Sequence, residues 1–251
     1  MDAVTRIKDL IEDIVAANRI LAAENVVDAF GHVSARHPEN PGHYLIARAL
    51  PPELVAAEDI MEITLAGEVV NGDTRKPYLE RFIHGAIYEA RPDVKSVVHS
   101  HSHSVIPYSV TDEKLRPIVH SCATIGGHVP VWDAQTTFGD TNMLISSVAM
   151  GQDFAKSLGQ NSAALMRGHG CTVIGRSVRE AVYTAVYLEV NAALQLQASR
   201  FPPVKFLSDG EIKIISERLA DAKPSEGYDR AWEYWCRHAG IEAHYRTPDS
   251  I

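Results

Sequence analysis

Apolar residues recur along much of the chain at the spacing of an α-helix. From Val4 to about Ala23 they return every three or four positions, as at Ile7, Ile11 and Ile14, which predicts an amphipathic helix. A second such stretch is Leu79–Ala90, and Pro92 follows its end, as expected after a helix C-terminus. The same spacing predicts four further helices, at Ser146–Leu158, Val178–Leu196, Ser208–Ala222 and Tyr228–Ala239.

Short apolar runs bounded by turn residues predict strands between these helices. The predicted strands are Val33–Arg36, Tyr44–Ala47, Ile60–Leu65, Val94–His99, Val129–Trp132, Ala163–Arg167 and Cys171–Ile174. No repeat, low-complexity tract or linker interrupts them. We therefore expect one α/β domain over residues 1–251, built of layered helices and sheet, with a helical C-terminal segment at about 205–251.

The charge, apolar runs and cysteines of the chain indicate which kinds of molecule it binds and in which compartment. The 251 residues carry a formal net charge of −8 with no long run of Lys or Arg, so we expect neither nucleic-acid nor membrane binding. No apolar run approaches the roughly 18 residues of a membrane span, and acidic residues interrupt the N-terminal apolar pattern where a signal peptide would be uninterrupted. The three scattered cysteines are typical of a reducing compartment. These features predict a cytoplasmic protein that acts on a small molecule.

The densest group of chemically active side chains is the run His99-Ser100-His101-Ser102-His103. In an extended segment, residues two apart lie on the same face, so His99 and His101 can offer two imidazoles to one metal ion. A strand end with solvated histidines explains the same pattern.

Another histidine lies between glycines in Gly168-His169-Gly170, where apolar runs on both sides indicate a tight turn. The spacing alone favours a plain hairpin turn there.

Glu80 and His84 lie four apart on a predicted helix, directly before the strand that carries His99 and His101. A glutamate near a divalent ion can be a ligand or a general acid/base, although a surface pair is the commoner meaning of this spacing.

Taken together, these segments resemble the class II aldolase/adducin family. The resemblance rests on four blocks in the family's order, within roughly residues 5–200: Gly31–Ser34, Tyr78–Ser102, Thr137–Gly139 and Gly168–Gly170 with a long helix after it. It implies a three-layer α/β/α fold with a mostly antiparallel central sheet, and a homotetramer with active sites between subunits. It also implies one divalent metal ion per subunit, Zn²⁺ or Mn²⁺.

The resemblance also assigns roles to individual residues. The family's three metal ligands correspond to His99, His101 and His169, and its catalytic glutamate corresponds to Glu80. The tyrosine acid of the aldolases aligns with His120.

The chain departs from the family's sugar-phosphate aldolases at their phosphate-binding positions. Those enzymes have Gly-Asn, Thr-Gly and Ser-Ser there, whereas this chain has Gly31-His32, Ala49-Leu50 and Tyr78-Leu79. His32 and the neighbouring Arg48 suit a carboxylate, and Tyr78 suits an aromatic ring. These changes resemble the family's decarboxylases of hydroxylated aromatic or pyridine dicarboxylates, such as hydroxy-methylpyridine-dicarboxylate and dihydroxyphthalate.

We therefore expect a metal-dependent carbon–carbon lyase, a decarboxylase that uses Glu80 and His120 as catalytic residues and binds substrate through His32, Arg48 and Tyr78. One alternative is an aldolase for a non-phosphorylated hydroxy-keto acid or sugar. Another is a non-catalytic, adducin-like interaction module, which the presence of all three histidines and Glu80 disfavours.

Overall fold

The computed structural model describes residues 2–221 and 226–241. The end of the helix predicted at Ser208–Ala222 and the part of the C-terminal segment beyond 241 lie outside the described residues. The helices are α1 (Ala3–Ala23), α2 (Arg81–Ala90), α3 (Ile106–Ser109), α4 (Ala134–Phe138), α5 (Val148–Leu158), α6 (Val178–Ala198), α7 (Asp209–Ala220) and α8 (Tyr228–His238). The strands are β1 (His32–Arg36), β2 (His43–Ala47), β3 (Ile60–Thr64), β4 (Ser96–Ser100), β5 (Val131–Trp132), β6 (Ala163–Met166) and β7 (Gly170–Gly175).

The strands form one seven-stranded sheet in the order β3-β2-β1-β4-β7-β6-β5. Every neighbouring pair is antiparallel except β5 and β6, which are parallel. The prediction of a mostly antiparallel central sheet is therefore confirmed. β4 lies at the centre, between β1 and β7, so its C-terminal end is covered on both sides by other strands.

Helices cover both faces of this sheet, which gives the predicted three layers. Val33 and Ala35 of β1 join one apolar core with residues of α1, α6 and α8. Between them, Ser34 faces the other way and contacts Tyr88 of α2. The second core packs α2 and α5 against the opposite face of the sheet. The alternation along β1 follows from the two-residue period of a strand.

Several element boundaries differ from the sequence predictions, and each difference has a local cause. α2 begins at Arg81 rather than Leu79, because Glu80 occupies the N-cap position. α5 begins after Ser147, whose side chain accepts a hydrogen bond from the backbone N–H of Met150. β5 spans two residues, since Pro130 has no N–H to donate to a ladder.

The sequence patterns missed the shortest elements. These are α3, α4 and three 3₁₀-helices at Pro52–Leu54, Ala57–Asp59 and His120–Ile125. Cys122, Cys171 and Cys236 are buried and unpaired, which accords with their predicted role as small core residues. Within residues 2–221 and 226–241, no helix combines the length and the apolar composition that crossing a bilayer requires.

Candidate metal centre

Four potential ligands converge where β4 ends. Glu80, His99, His101 and His169 each offer one donor atom, and these atoms all lie within 4.8 Å of one another. His99 is on β4, and His101 follows its last residue. Glu80 is at the N-cap position of α2, and His169 lies in the turn between β6 and β7. The structure thus brings together the three histidines and the glutamate that the sequence singled out.

His99 is fixed in the orientation of a ligand. Its Nδ1 lies 3.0 Å from the carbonyl oxygen of Cys171, so Nδ1 carries the proton and donates it. Nε2 therefore has a lone pair, and it is buried with no hydrogen-bond partner among the described residues. A buried acceptor with no partner is costly, and such an atom calls for an unseen proton or ion.

His169 is held in the same way from the other side. Its Nδ1 donates to the carbonyl oxygen of Met143 at 3.1 Å, and its Nε2 lies 3.0 Å from Nε2 of His101. Met143 has a φ of +67°, a sparsely populated conformation for a residue with a side chain. At Gly170, a Cβ atom would collide with the carbonyl oxygen of Ser100, so the turn needs a glycine to bring His169 to the end of β4.

Glu80 completes the group from the α2 side of the sheet. Its Oε1 accepts a hydrogen bond from the backbone N–H of Ile145 at 3.0 Å. Its Oε2 lies 3.6 Å from Nε2 of His99 and 3.5 Å from Nε2 of His169. Burial opposes ionisation of this carboxyl, whereas protons on the Nε2 atoms of His169 and His99, or a cation in their place, lower the pKa of Glu80. Glu80 is therefore an anion when a proton or a metal ion lies among these ligand atoms.

This donor set fits a divalent metal ion. Backbone carbonyls orient two of the imidazoles, as they do for histidine ligands in metal sites. Burial and the neighbouring His99 lower the pKa of His101 to about 4, so its imidazole is neutral at pH 7. Two Nε2 atoms at 3.0 Å repel each other unless a cation or a proton lies between them. Three imidazoles and one carboxylate suit Zn²⁺ and also accept Mn²⁺.

The predicted substrate-binding residues lie beside this group. The His32 ring is 5.1 Å from the His99 ring and 4.6 Å from the Tyr78 ring, measured between centroids. The Tyr78 hydroxyl donates to the carbonyl oxygen of Leu50, and burial raises the pKa of Tyr78 to about 12, so its ring is a neutral wall. His32 and Tyr78 are thus part of the same site as His99.

Arg48 is half-exposed and is anchored at one end of its guanidinium. Its Nε donates to Oδ1 of Asp59 at 2.6 Å, and its side chain is 41% exposed. Among the described residues, neither Nη group of Arg48 has a hydrogen-bond partner in the structure. The Arg48 guanidinium is close enough to Tyr78 for its positive charge to lower the pKa of the Tyr78 hydroxyl, against the larger effect of burial.

His120 is not part of the group. It is exposed at the first position of the 3₁₀-helix His120–Ile125 and is absent from the set of converging ligand atoms. Its predicted role as an acid stays a prediction, since the resemblance implies an active site shared between subunits.

Some residues of the site were not assigned from the sequence. Ser34, His84 and Tyr88 are buried and form a chain of hydrogen bonds that ends on His32. Their only sequence signal is spacing: His84 is four residues after Glu80 and four before Tyr88. Phe30 is exposed with its ring 6.1 Å from the His101 ring, and no pattern indicates it.

Comparisons with known proteins accord with this geometry. Residues 12–196 match the family described as the class II aldolase and adducin N-terminal domain. The decarboxylase tropJ of Talaromyces stipitatus is 32% identical over 246 residues, covering 90% of this chain and 92% of that protein. The 3,4-dihydroxyphthalate decarboxylase of Arthrobacter keyseri is 28% identical over 239 residues, covering 89% and 91%.

A solved structure confirms the fold. The L-fuculose 1-phosphate aldolase of Glaciozyma antarctica superposes with a TM-score of 0.75 at 24% identity, over 96% of this chain and 95% of that one. At this level of identity the likeness concerns the fold alone. The match over residues 12–196 and the similarity to lyases along nearly the full length lead to one conclusion: the chain belongs to the class II aldolase and adducin N-terminal domain family.

Proposed function

We propose that this protein is a metal-dependent decarboxylase of a hydroxylated aromatic or pyridine dicarboxylate. The observation that carries the proposal is that the His32 ring contacts both the His99 ring and the Tyr78 ring. Where sugar-phosphate aldolases have small polar residues, a neutral imidazole and an aromatic ring flank the candidate metal ligands. Two decarboxylases among the relatives support the same reaction class.

The pocket residues suit a flat, doubly charged substrate. Tyr78 offers a ring face to an aromatic ring, and the unpaired end of the Arg48 guanidinium offers two parallel donors to a carboxylate. In this proposal Arg48 and His32 bind the carboxylate that is retained. They thereby fix the ring so that the second carboxylate and its neighbouring hydroxyl face His99, His101 and His169.

A divalent ion held by these ligands would supply positive charge against the negative charge that develops on the substrate when the carbon–carbon bond breaks. Glu80 transfers a proton from the substrate hydroxyl to the ring carbon, in two steps. Because it is ionised, it first accepts the proton of the substrate hydroxyl. As carbon dioxide leaves with its carbon–carbon bonding pair left on the ring, Glu80 returns that proton to the ring carbon.

Two further parts of the proposal extend beyond one subunit. We propose a homotetramer in which His120 of one subunit reaches the site of the next as a second acid. Its exposure in the single chain supports this role. The compartment we propose is the cytoplasm, where the three unpaired cysteines would stay reduced.

The test is a substrate panel with the purified, metal-reconstituted protein. Hydroxylated phthalates and pyridine dicarboxylates are compared with non-phosphorylated hydroxy-keto acids and sugars, and carbon dioxide and aldehyde are both quantified. Release of carbon dioxide from a dicarboxylate supports the proposal. Release of aldehyde from a keto acid or sugar, without carbon dioxide, overturns it in favour of an aldolase. Failure to bind metal and to turn over any of these compounds indicates an adducin-like module.

A further inference from the structure

A continuous chain of buried hydrogen bonds runs from α2 through β1 to the edge of the candidate site. The Tyr88 hydroxyl lies 2.7 Å from Oγ of Ser34, and the same Oγ lies 2.6 Å from Nδ1 of His84. Nε2 of His84 lies 2.6 Å from Nδ1 of His32. None of the four side chains is more than 4% exposed. Nothing in the metal-ligand set explains why so many polar groups are buried here.

The secondary structure builds this chain from two pairs of residues. His32 and Ser34 are two apart on β1 and therefore share a face of the sheet. His84 and Tyr88 are four apart on α2 and share the helix face that packs on β1. The two pairs interleave, so each group lies against the next.

The chain has a direction, because a phenol has one proton to give. Ser34 Oγ is the acceptor that the described residues offer to the Tyr88 hydroxyl. If Tyr88 donates to Ser34, Ser34 donates its own proton to Nδ1 of His84. Nε2 of His84 then carries the proton and donates to Nδ1 of His32. The opposite order would leave the buried phenol proton without an acceptor, which is costly.

The order requires neutral imidazoles, and burial provides them. The hydrogen bond between the two rings needs one imidazole nitrogen as acceptor, and both rings are buried, which disfavours a charged imidazole. Since Nδ1 of His32 accepts a hydrogen bond, its single ring proton is on Nε2. Among the described residues, Nε2 of His32 has no hydrogen-bond partner, and the ring lies between Tyr78 and His99.

We infer that Tyr88, Ser34 and His84 are positioning residues that hold His32 as its Nε2–H tautomer, a fixed hydrogen-bond donor to the retained carboxylate of the substrate. That the acceptor is the retained carboxylate of the substrate rests on the proposed function, whereas the tautomer of His32 does not. An imidazole with the other tautomer would present a lone pair to the carboxylate and repel it. The three residues thus select a substrate with an acceptor at that position.

The tautomer can be read directly by ¹⁵N NMR of the imidazoles in the full-length, metal-free protein, with His32 and His84 assigned by substitution. We expect a protonated Nε2 and an unprotonated Nδ1 on His32. A protonated Nδ1 on His32 would overturn the inference. This result does not depend on any activity, so it stands apart from failure of the proposed function, which is the absence of turnover.

Two variants test whether the order is imposed by the chain. Tyr88→Phe and Ser34→Ala should each give His32 a mixture of tautomers, while Tyr44→Phe should leave the tautomer unchanged. Tyr44 is the matched control, because it is a buried tyrosine that stacks on His84 but donates to the carbonyl oxygen of Arg81. Thermal unfolding first establishes that both test variants are folded. If the His32 spectrum is then unchanged in both, the inference is contradicted.

Kinetics separate positioning from general stability. Loss of a fixed donor to a charged group should raise KM of Tyr88→Phe about three- to tenfold and leave kcat within about twofold. On a His32→Gln background, where an amide N–H replaces the imidazole donor, Tyr88→Phe should have no further effect on KM. An equal effect of Tyr88→Phe on both backgrounds would show that Tyr88 does not act through His32.

Discussion

The ligand set can be tested by the metal's effect on thermal unfolding, with two neighbouring histidines as test and control. His101 and His103 belong to the same run, but His101 lies 3.0 Å from His169 whereas His103 is exposed. His101→Ala removes one of four donors, and His103→Ala removes a histidine of equal chemistry outside the group. Zn²⁺ is added to chelator-treated protein, and the melting temperature is followed by calorimetry or circular dichroism.

The size of the effect follows from linkage. Zn²⁺ at a hundred times its Kd stabilises the folded protein by about 2.7 kcal/mol. For a chain of 251 residues, each kcal/mol shifts Tm by about 2–4 °C, so Tm should rise about 5–11 °C. If His101→Ala weakens binding about a hundredfold, the same Zn²⁺ adds only about 0.4 kcal/mol, or about 1–2 °C.

His103→Ala should keep the full increase. An increase in His101→Ala equal to that of the unchanged protein would refute the assignment of His101 as a ligand. Loss of the increase in both variants would indicate that Zn²⁺ binds between His101 and His103 instead of in the group of Glu80, His99, His101 and His169.

Protonation of buried His84, binding of the substrate carboxylate and the subunit interface each give a further test. Metal-free protein should lose stability as pH falls from about 6.5 towards 3. His84 binds a proton near pH 6.5 in the unfolded chain, whereas burial lowers its pKa in the folded protein to about 3. Between these values the free energy of unfolding should fall by about 1.4 kcal/mol per pH unit. Urea unfolding should show this slope reduced in His84→Asn, and an equal slope in that variant would be inconsistent with the argument. Arg48→Ala should raise KM for a dicarboxylate about 10–100-fold. The control Arg176→Ala, which breaks an exposed pair with Glu180, should leave KM unchanged. Equal KM values for Arg48→Ala and the unchanged protein in steady-state kinetics would exclude Arg48 from carboxylate binding. Mixing Glu80→Gln and His120→Ala subunits should recover about a quarter of the wild-type activity if each site combines both residues across an interface. No recovery after refolding the mixture would contradict a site that combines Glu80 of one subunit with His120 of the next.

The sequence predicted the part of the site that depends on local spacing. The two-residue period of a strand brought His99 and His101 to one point, although β4 ends at Ser100 and His101 is held beyond it. Glu80 also lies where its place on a predicted helix suggested, but it occupies the N-cap position just before the first helical residue. The layered fold and the antiparallel sheet followed from the same periodicities together with the family resemblance.

The rest depends on contacts between distant segments, which periodicity does not encode. The carbonyl of Met143 that orients His169 comes from an irregular loop, 26 positions earlier in the chain. The partner of Arg48, Asp59, lies in a 3₁₀-helix too short to produce a pattern. The buried chain from Tyr88 to His32 needs β1 and α2 to be packed in register before any of its members can be recognised.

Metal-dependent decarboxylation at the group of Glu80, His99, His101 and His169 can be followed through the carbon that the substrate loses. A 3,4-dihydroxyphthalate or hydroxypyridine dicarboxylate labelled with ¹³C in its carboxylates is given to the metal-loaded protein, to the chelator-treated protein and to metal-loaded Glu80→Gln. We predict one labelled carbon dioxide per substrate with the metal-loaded protein, none after chelation, and a rate about 10²–10⁴-fold lower in the variant. Equal release of carbon dioxide with and without metal, or by Glu80→Gln at the full rate, would contradict the account.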